Sequence, residues 1–150
     1  MALIIDANKV ADYLNHTHDP ANRVIYDWIE NKGGKLVFGG RQLQEWGRIN
    51  KAGRYVRTLL EAGRALKYAT EEVDNKEGEV ESTGLCHSDD PHVIALACVS
   101  GARVLYSQDR DLCDDFRNTN LVPRPRGKIY KRAQHRRLLL EAPACRSPSS

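Results

Sequence analysis

The apolar positions of this chain come in short runs separated by polar stretches of helical length. Leu3-Ile4-Ile5 is one such run, and it ends at Asp6. It is too short for a core helix and suits a strand of a parallel sheet, whose two covered faces make its sequence continuously apolar. Two helices follow, Lys9 to Leu14 and Pro20 to Asn31, the second with Val24, Ile25, Trp28 and Ile29 at helical spacing and Gly33-Gly34 as its stop. Lys35 to Phe38 reads as a second strand, closed by Gly39-Gly40. From Arg41 to Ala69 the spacing predicts two helical segments broken near Gly53. The second carries Val56, Leu59, Leu60, Gly63 and Leu66 on one face and Arg54, Arg57, Glu61 and Arg64 on the other. Thr70 to Glu81 is acidic and sparsely apolar, and reads equally as a loop or a surface helix.

Asp90-Pro91 opens the clearest helix. Aspartate suits an N-cap, proline suits the first turn, and Val93 to Val99 is apolar all round, the mark of a buried helix closed by Gly101. Arg103 to Ser107 is the next strand and Asp109 to Phe116 a short helix. Pro123 and Pro125 then break the chain before an edge strand at Lys128 to Tyr130 and a terminal helix at Lys131 to Glu141. Strands alternating with helices predict an α/β fold, a three-layer α/β/α sandwich around a mostly parallel sheet. Residues 1–141 form one domain with a basic C-terminal segment, and 142–150, rich in proline and serine, read as a disordered tail.

Composition narrows the class. The 150 residues are 41% hydrophobic, enough for one real core. There is neither a membrane-length apolar run nor a signal-peptide pattern, and Cys86, Cys98, Cys113 and Cys145 are scattered, so reduced thiols in a cytoplasmic protein off the membrane are expected. The net charge of +3 is unevenly spread: Arg117 to Ser150 holds nine Lys or Arg against the single acid Glu141, while residues 1 to 45 hold five bases and six acids. A basic segment beside an acidic one suits a polyanion held electrostatically near working carboxylates. A solvated basic tail would look the same.

In an open parallel sheet the functional crevice lies at the carboxyl ends of the strands. Asp6 ends the first strand, Asp109 follows the strand ending at Ser107, Asp90 starts the helix that feeds that strand, and Glu45 is on a helix entered from the second strand. Topology alone therefore predicts that the four converge. Clustered carboxylates repel one another unless a cation sits among them, and an all-oxygen set favours Mg²⁺ or Mn²⁺, the ions of phosphodiester hydrolysis. Each acid also has an ordinary use: Asp90 and Asp109 as helix caps, Glu45 as a surface residue. Asp6, directly after a buried run, is the hardest to explain that way.

With these motifs in this order the chain resembles the PIN domain family of VapC-type toxins and related nucleases, from Ala2 to about Phe116. The resemblance is carried by the strand ending in Asp6-Ala7-Asn8, by Leu43-Gln44-Glu45-Trp46, by Asp90-Pro91-His92-Val93-Ile94-Ala95-Leu96-Ala97, and by Val104 to Ser107 running into Asp109. It implies Asp6, Glu45, Asp90 and Asp109 as catalytic and metal-binding acids for Mg²⁺ (or Mn²⁺), with Asn8 and Ser107 orienting them. Asp111 is then an auxiliary acid, and Asp89 competes with Asp90 for its role. It further implies an endoribonuclease acting on single-stranded RNA, either the toxin of a toxin–antitoxin pair with an antitoxin protein as partner or a related RNA-processing enzyme, and a homodimer; the same metal chemistry would also serve a nuclease acting on DNA. Arg48, Lys51, Arg54 and Arg57, together with Lys128, Lys131, Arg132, Arg136 and Arg137, would line the phosphate track.

A zinc site from Cys86, His87, His92 and Cys98 fails on ligand spacing, and His16-Thr17-His18-Asp19 lacks a distant partner histidine. No Gly-rich phosphate loop, G-x-S-x-G or dinucleotide fingerprint is present. The competing reading is a PIN-like nucleic-acid-binding or protein-interaction module whose acids do not cleave.

Overall fold

The computed structural model describes residues 1–16 and 18–148. Five strands, β1 (Ala2–Ile5), β2 (Lys35–Phe38), β3 (Ala65–Lys67), β4 (Val104–Tyr106) and β5 (Lys128–Tyr130), form one sheet in the order β3-β2-β1-β4-β5, and every pairing is parallel. The helices between them are α1 (Ala7–Asn15), α2 (Pro20–Asn31), α3 (Gly40–Gly47), α4 (Ala52–Glu61), α5 (Thr70–Ser82), α6 (Pro91–Ser100), α7 (Arg110–Arg117) and α8 (Arg136–Leu140).

The central strand explains the layering. Because side chains alternate along a strand, Ala2 and Ile4 face one core, with α5, α6 and α7, while Leu3 and Ile5 face the other, with α1, α2 and Trp46. All four are buried. The result is the α/β/α sandwich expected from the sequence.

Three expectations need correction. The segment read as a second helix running through Leu66 ends earlier: Gly63 takes φ +72°, a left-handed conformation that closes α4, and Ala65 to Lys67 pairs with Leu36 to Phe38 as an edge strand. A strand this short carries no period of its own, so the preceding helical pattern hid it. The break between α3 and α4 lies at Arg48–Lys51 rather than Gly53, with Lys51 itself left-handed at φ +72°. The terminal helix shrinks to a 3₁₀ turn at Ala133–His135 followed by α8. Thr70–Ser82, which the sequence left open, is helical and packs closely on α6.

The supposed tail is also tied down in its described part. Ala142 is buried and Cys145 packs on the core beneath α6. The Arg146 N–H donates to the Ser100 carbonyl at 3.0 Å, Tyr68 donates its hydroxyl to the Arg146 carbonyl at 2.5 Å, and the guanidinium meets Val99 O and Glu72. Composition suggested disorder, but two small apolar side chains and one arginine suffice to dock this strap. Ser149 and Ser150 lie outside the described residues.

Candidate metal centre at the carboxyl edge of the sheet

Asp6 is fixed by the sheet itself. Its backbone N–H donates to Tyr106 O at 3.0 Å, continuing the β1–β4 pairing by one residue. That places its side chain beside Ser107, whose hydroxyl donates to Asp6 Oδ2 at 2.8 Å and accepts the Asp109 N–H at 3.0 Å. One buried serine thus joins two of the predicted acids. Asp6 also caps α1 by accepting the Asn8 backbone N–H at 3.3 Å. Asn8 contributes through its main chain, and its residue is exposed.

Glu45 reaches the same edge on α3. Gly39 and Gly40 turn the chain sharply out of β2; Gly40 has φ +58°, and a Cβ there would fall 2.7 Å from Val73. The buried Gln42 staples the turn, accepting from the Gly39 N–H and donating to Val37 O, both at 3.2 Å. Trp46, next to Glu45, is fully buried, stacks edge-to-face on Phe38 and donates its indole N–H to Ile5 O at 3.2 Å. The helix that carries Glu45 is thereby bonded to the residue preceding Asp6. Arg41 adds an ion pair to Glu77 of α5 at 2.6 Å.

Asp90 and Asp109 begin α6 and α7, as expected, but they use that position differently. Asp109 caps in the ordinary way, accepting the Leu112 N–H on Oδ1 at 3.1 Å. Asp90 makes no side-chain capping bond. Its carboxylate turns toward Glu45 and His92, whereas Asp89 is exposed, so Asp90 is the one of the pair that joins the cluster. The loop before it is held by Asp115 of α7, buried, which accepts the N–H groups of His87 and Ser88.

The electrostatics register the convergence. Burial, first, holds the Asp6 carboxyl above its ordinary range; bonds from Ser107 and Asn8 oppose this, and the charges of Asp109 and Glu45 reinforce it. Asp90 is raised likewise by burial and then by Asp6, with His92 opposing and Glu45 and Asp109 adding to the rise. The four predicted acids therefore share one field. Asp111 does not take part visibly: it stands exposed in the first turn of α7.

Sequence reasoning missed His92. It is fully buried, its Nε2 lies 2.5 Å from Glu45 Oε1 and 3.9 Å from Asp90 Oδ1, and its Nδ1 has no partner. The available signal was a single imidazole in the first turn of a helix that is otherwise apolar, since a polar side chain buried there must find a partner. Glu45, Asp90 and His92 offer ligand atoms all within 4.8 Å of one another and can hold a metal ion. Two donor atoms on one octahedral ion stand about 3 Å apart, so the 2.5 Å contact is a hydrogen bond, and the imidazole orients Glu45. Cys86 and Cys98, grouped with His92 in the rejected zinc set, go elsewhere, to Asp115 and to Leu121 O.

The predicted basic residues do not form one surface. Arg48, Lys51, Arg54 and Arg57 are exposed along α3 and α4. Lys131 and Arg132 follow the carboxyl end of β5, the edge where the acids lie, and Lys128 begins that strand, level with Val104; Lys128 and Lys131 line one groove along β5, away from the α3–α4 group. Among the described residues no helix is long and apolar enough to cross a membrane. No family model matches this chain, and neither a curated protein nor a solved structure matches it.

Proposed function

We propose that this protein is a metal-dependent endoribonuclease of PIN type, cutting phosphodiester bonds of single-stranded RNA. The observation that supports the reading is the approach of Glu45, Asp90 and His92, with ligand atoms within 4.8 Å of one another, beside Asp6 and Asp109, whose charges help to raise Asp90 after burial. Such a cluster is relieved by a divalent cation. The donor set fits one: carboxylate oxygens suit Mg²⁺ or Mn²⁺. When bound, such an ion supplies Lewis acidity to a phosphate oxygen and lowers the pKa of an attacking water.

The chain's own residues have defined tasks in this reading. Asp6, Asp90, Asp109 and Glu45 hold the cation. Ser107 keeps Asp6 and Asp109 in register, and His92 keeps the Glu45 carboxylate turned inward. Basic side chains position the RNA backbone without reading its bases. Membership of a toxin–antitoxin pair and a homodimeric state belong to the same proposal and rest on the PIN resemblance.

The test is cleavage of labelled single-stranded RNA with Mg²⁺ or Mn²⁺, comparing the protein with Asp6→Asn and with an EDTA control. Metal-dependent cutting that disappears in the variant supports the reading. Absence of both cutting and calorimetric metal binding refutes it and leaves the non-cleaving module.

A further inference from the structure

We propose that the groove between the C-terminal end of α7, β5 and α8 is the channel that holds the phosphate backbone of single-stranded RNA on its way to the acid cluster. This rests on the ribonuclease reading above and deepens it by choosing one of two basic surfaces.

The groove encloses roughly 720 Å³ and is lined by Arg117, Arg126, Lys128, Lys131 and Arg137 together with His135. Among the described residues no carboxylate lines it. Its walls between the cations are Gly127, the polar Gln134 and apolar surface from Ile129 and Leu138. A concave surface with cations on several walls focuses a positive potential more strongly than the same charges spread on a convex face. The cations are also available: among the described residues Lys128 and Lys131 form no ion pair, and Arg137 meets Glu141 only at 3.9 Å, with both partners largely exposed. Arg117 is paired with Asp114, but that pair is itself exposed and exchangeable. The Arg126 guanidinium is fixed in direction by donating to Arg117 O at 3.1 Å.

The position of the groove links it to the acids. In the β4–β5 register Tyr106 faces Tyr130, so the next residues, Ser107 and Lys131, emerge side by side at the neighbouring-strand spacing of about 4.8 Å. Ser107 is the residue that binds both Asp6 and Asp109. Arg117, the last residue of α7, lines the groove, and the start of that helix at Asp109 lies eight residues or roughly 12 Å away. A polyanion seated against Arg117 and Arg126 and passing Lys131 therefore reaches the carboxyl edge of the sheet beside Ser107. Among the described residues the one aromatic ring in the groove lining is that of His135, which points to backbone contacts, and these are sequence-tolerant. The alternative surface on α4 has exposed Arg54 and Arg57 on a helix flank.

The test is fluorescence anisotropy of labelled oligouridine in EDTA, so that binding is read without cleavage, across about 50 to 200 mM salt. The wild-type chain is compared with Lys128→Gln/Lys131→Gln and with Arg54→Gln/Arg57→Gln. The groove variant is expected to weaken binding on the order of tenfold at the lowest salt and to flatten the log–log salt slope by about 0.7 per lost contact, whereas the α4 variant changes little. Circular dichroism checks that both variants are folded. Undiminished binding by the folded groove variant, with loss in the α4 variant, overturns the proposal, as does failure of the wild-type chain to bind the oligonucleotide at low salt. Groove-dependent binding without cleavage in Mn²⁺ would sink the nuclease reading alone; cleavage with groove-independent binding would sink the groove alone.

Discussion

Asp115 makes a sharp prediction because it is buried, lies outside the acid cluster, and governs a residue inside it. Its carboxylate accepts the His87 N–H at 3.0 and 3.1 Å and the Ser88 N–H at 2.8 Å, and takes the Cys86 thiol at 3.2 Å. Burial, with that bond second, pushes the Cys86 thiol up to about 11, so it stays a donor at neutral pH. Replacing Asp115 by alanine removes two charge-assisted bonds to backbone donors, each about 1.5–3 kcal/mol. Water can reach exposed His87 and recover part of this. The expected loss is therefore about 2–4 kcal/mol. Asp115→Asn keeps one acceptor oxygen and should cost about 1 kcal/mol. Urea denaturation followed by circular dichroism measures both, with an unchanged m-value expected. The loosened loop also presents Asp90 less well, so Mn²⁺ affinity by calorimetry should fall although Asp115 is no ligand. An alanine variant within about 0.5 kcal/mol of wild type, or one as damaged as the asparagine variant and no more, would refute this account of the loop.

Other consequences concern the cluster directly. Asp6 is held above its ordinary value of 3.8 when folded, so in chelator the folded state binds more protons than the unfolded, and stability falls as pH rises from below 3.8 through the raised value. Asp6→Asn removes that term: its melting temperature relative to wild type should rise with pH over that window and should no longer respond to added Mn²⁺; a pH-independent difference would contradict the burial argument. His92→Phe fills the same buried space without the bond to Glu45, so Mn²⁺ affinity should drop on the order of tenfold with little change in thermal midpoint, and an unaltered dissociation constant would remove His92 from the site. Trp46→Phe leaves the Ile5 carbonyl without its donor and should cost about 1–3 kcal/mol, measurable by urea denaturation; a neutral result would mean that the indole bond does not anchor α3.

The sequence determined a good deal by itself. Continuous apolar runs such as Leu3 to Ile5, and the all-apolar Val93 to Val99, can be satisfied only by burial on two sides, so the layered α/β class and the parallel sheet were legible without coordinates. Parallel strands also share a carboxyl edge, which is why the charges of Asp6, Glu45, Asp90 and Asp109 act on one another, although of the four only Glu45 and Asp90 offer ligand atoms within 4.8 Å, together with His92. Local pattern failed where an element is too short to have a period, as at Ala65–Lys67, and where composition outweighed a few docking contacts, as in the Ala142 to Arg146 strap.

Only the tertiary structure decided how the acids are used. That Asp109 spends an oxygen on its cap while Asp90 does not depends on the path of the loop that Asp115 holds, 25 residues further along the chain. That Glu45 turns toward His92 depends on α3 crossing to α6, and the emergence of Lys131 beside Ser107 depends on strand register. Hydrogen bonds and Coulombic fields act through space over a few ångströms, and residues that distant in sequence carry no local mark of being neighbours.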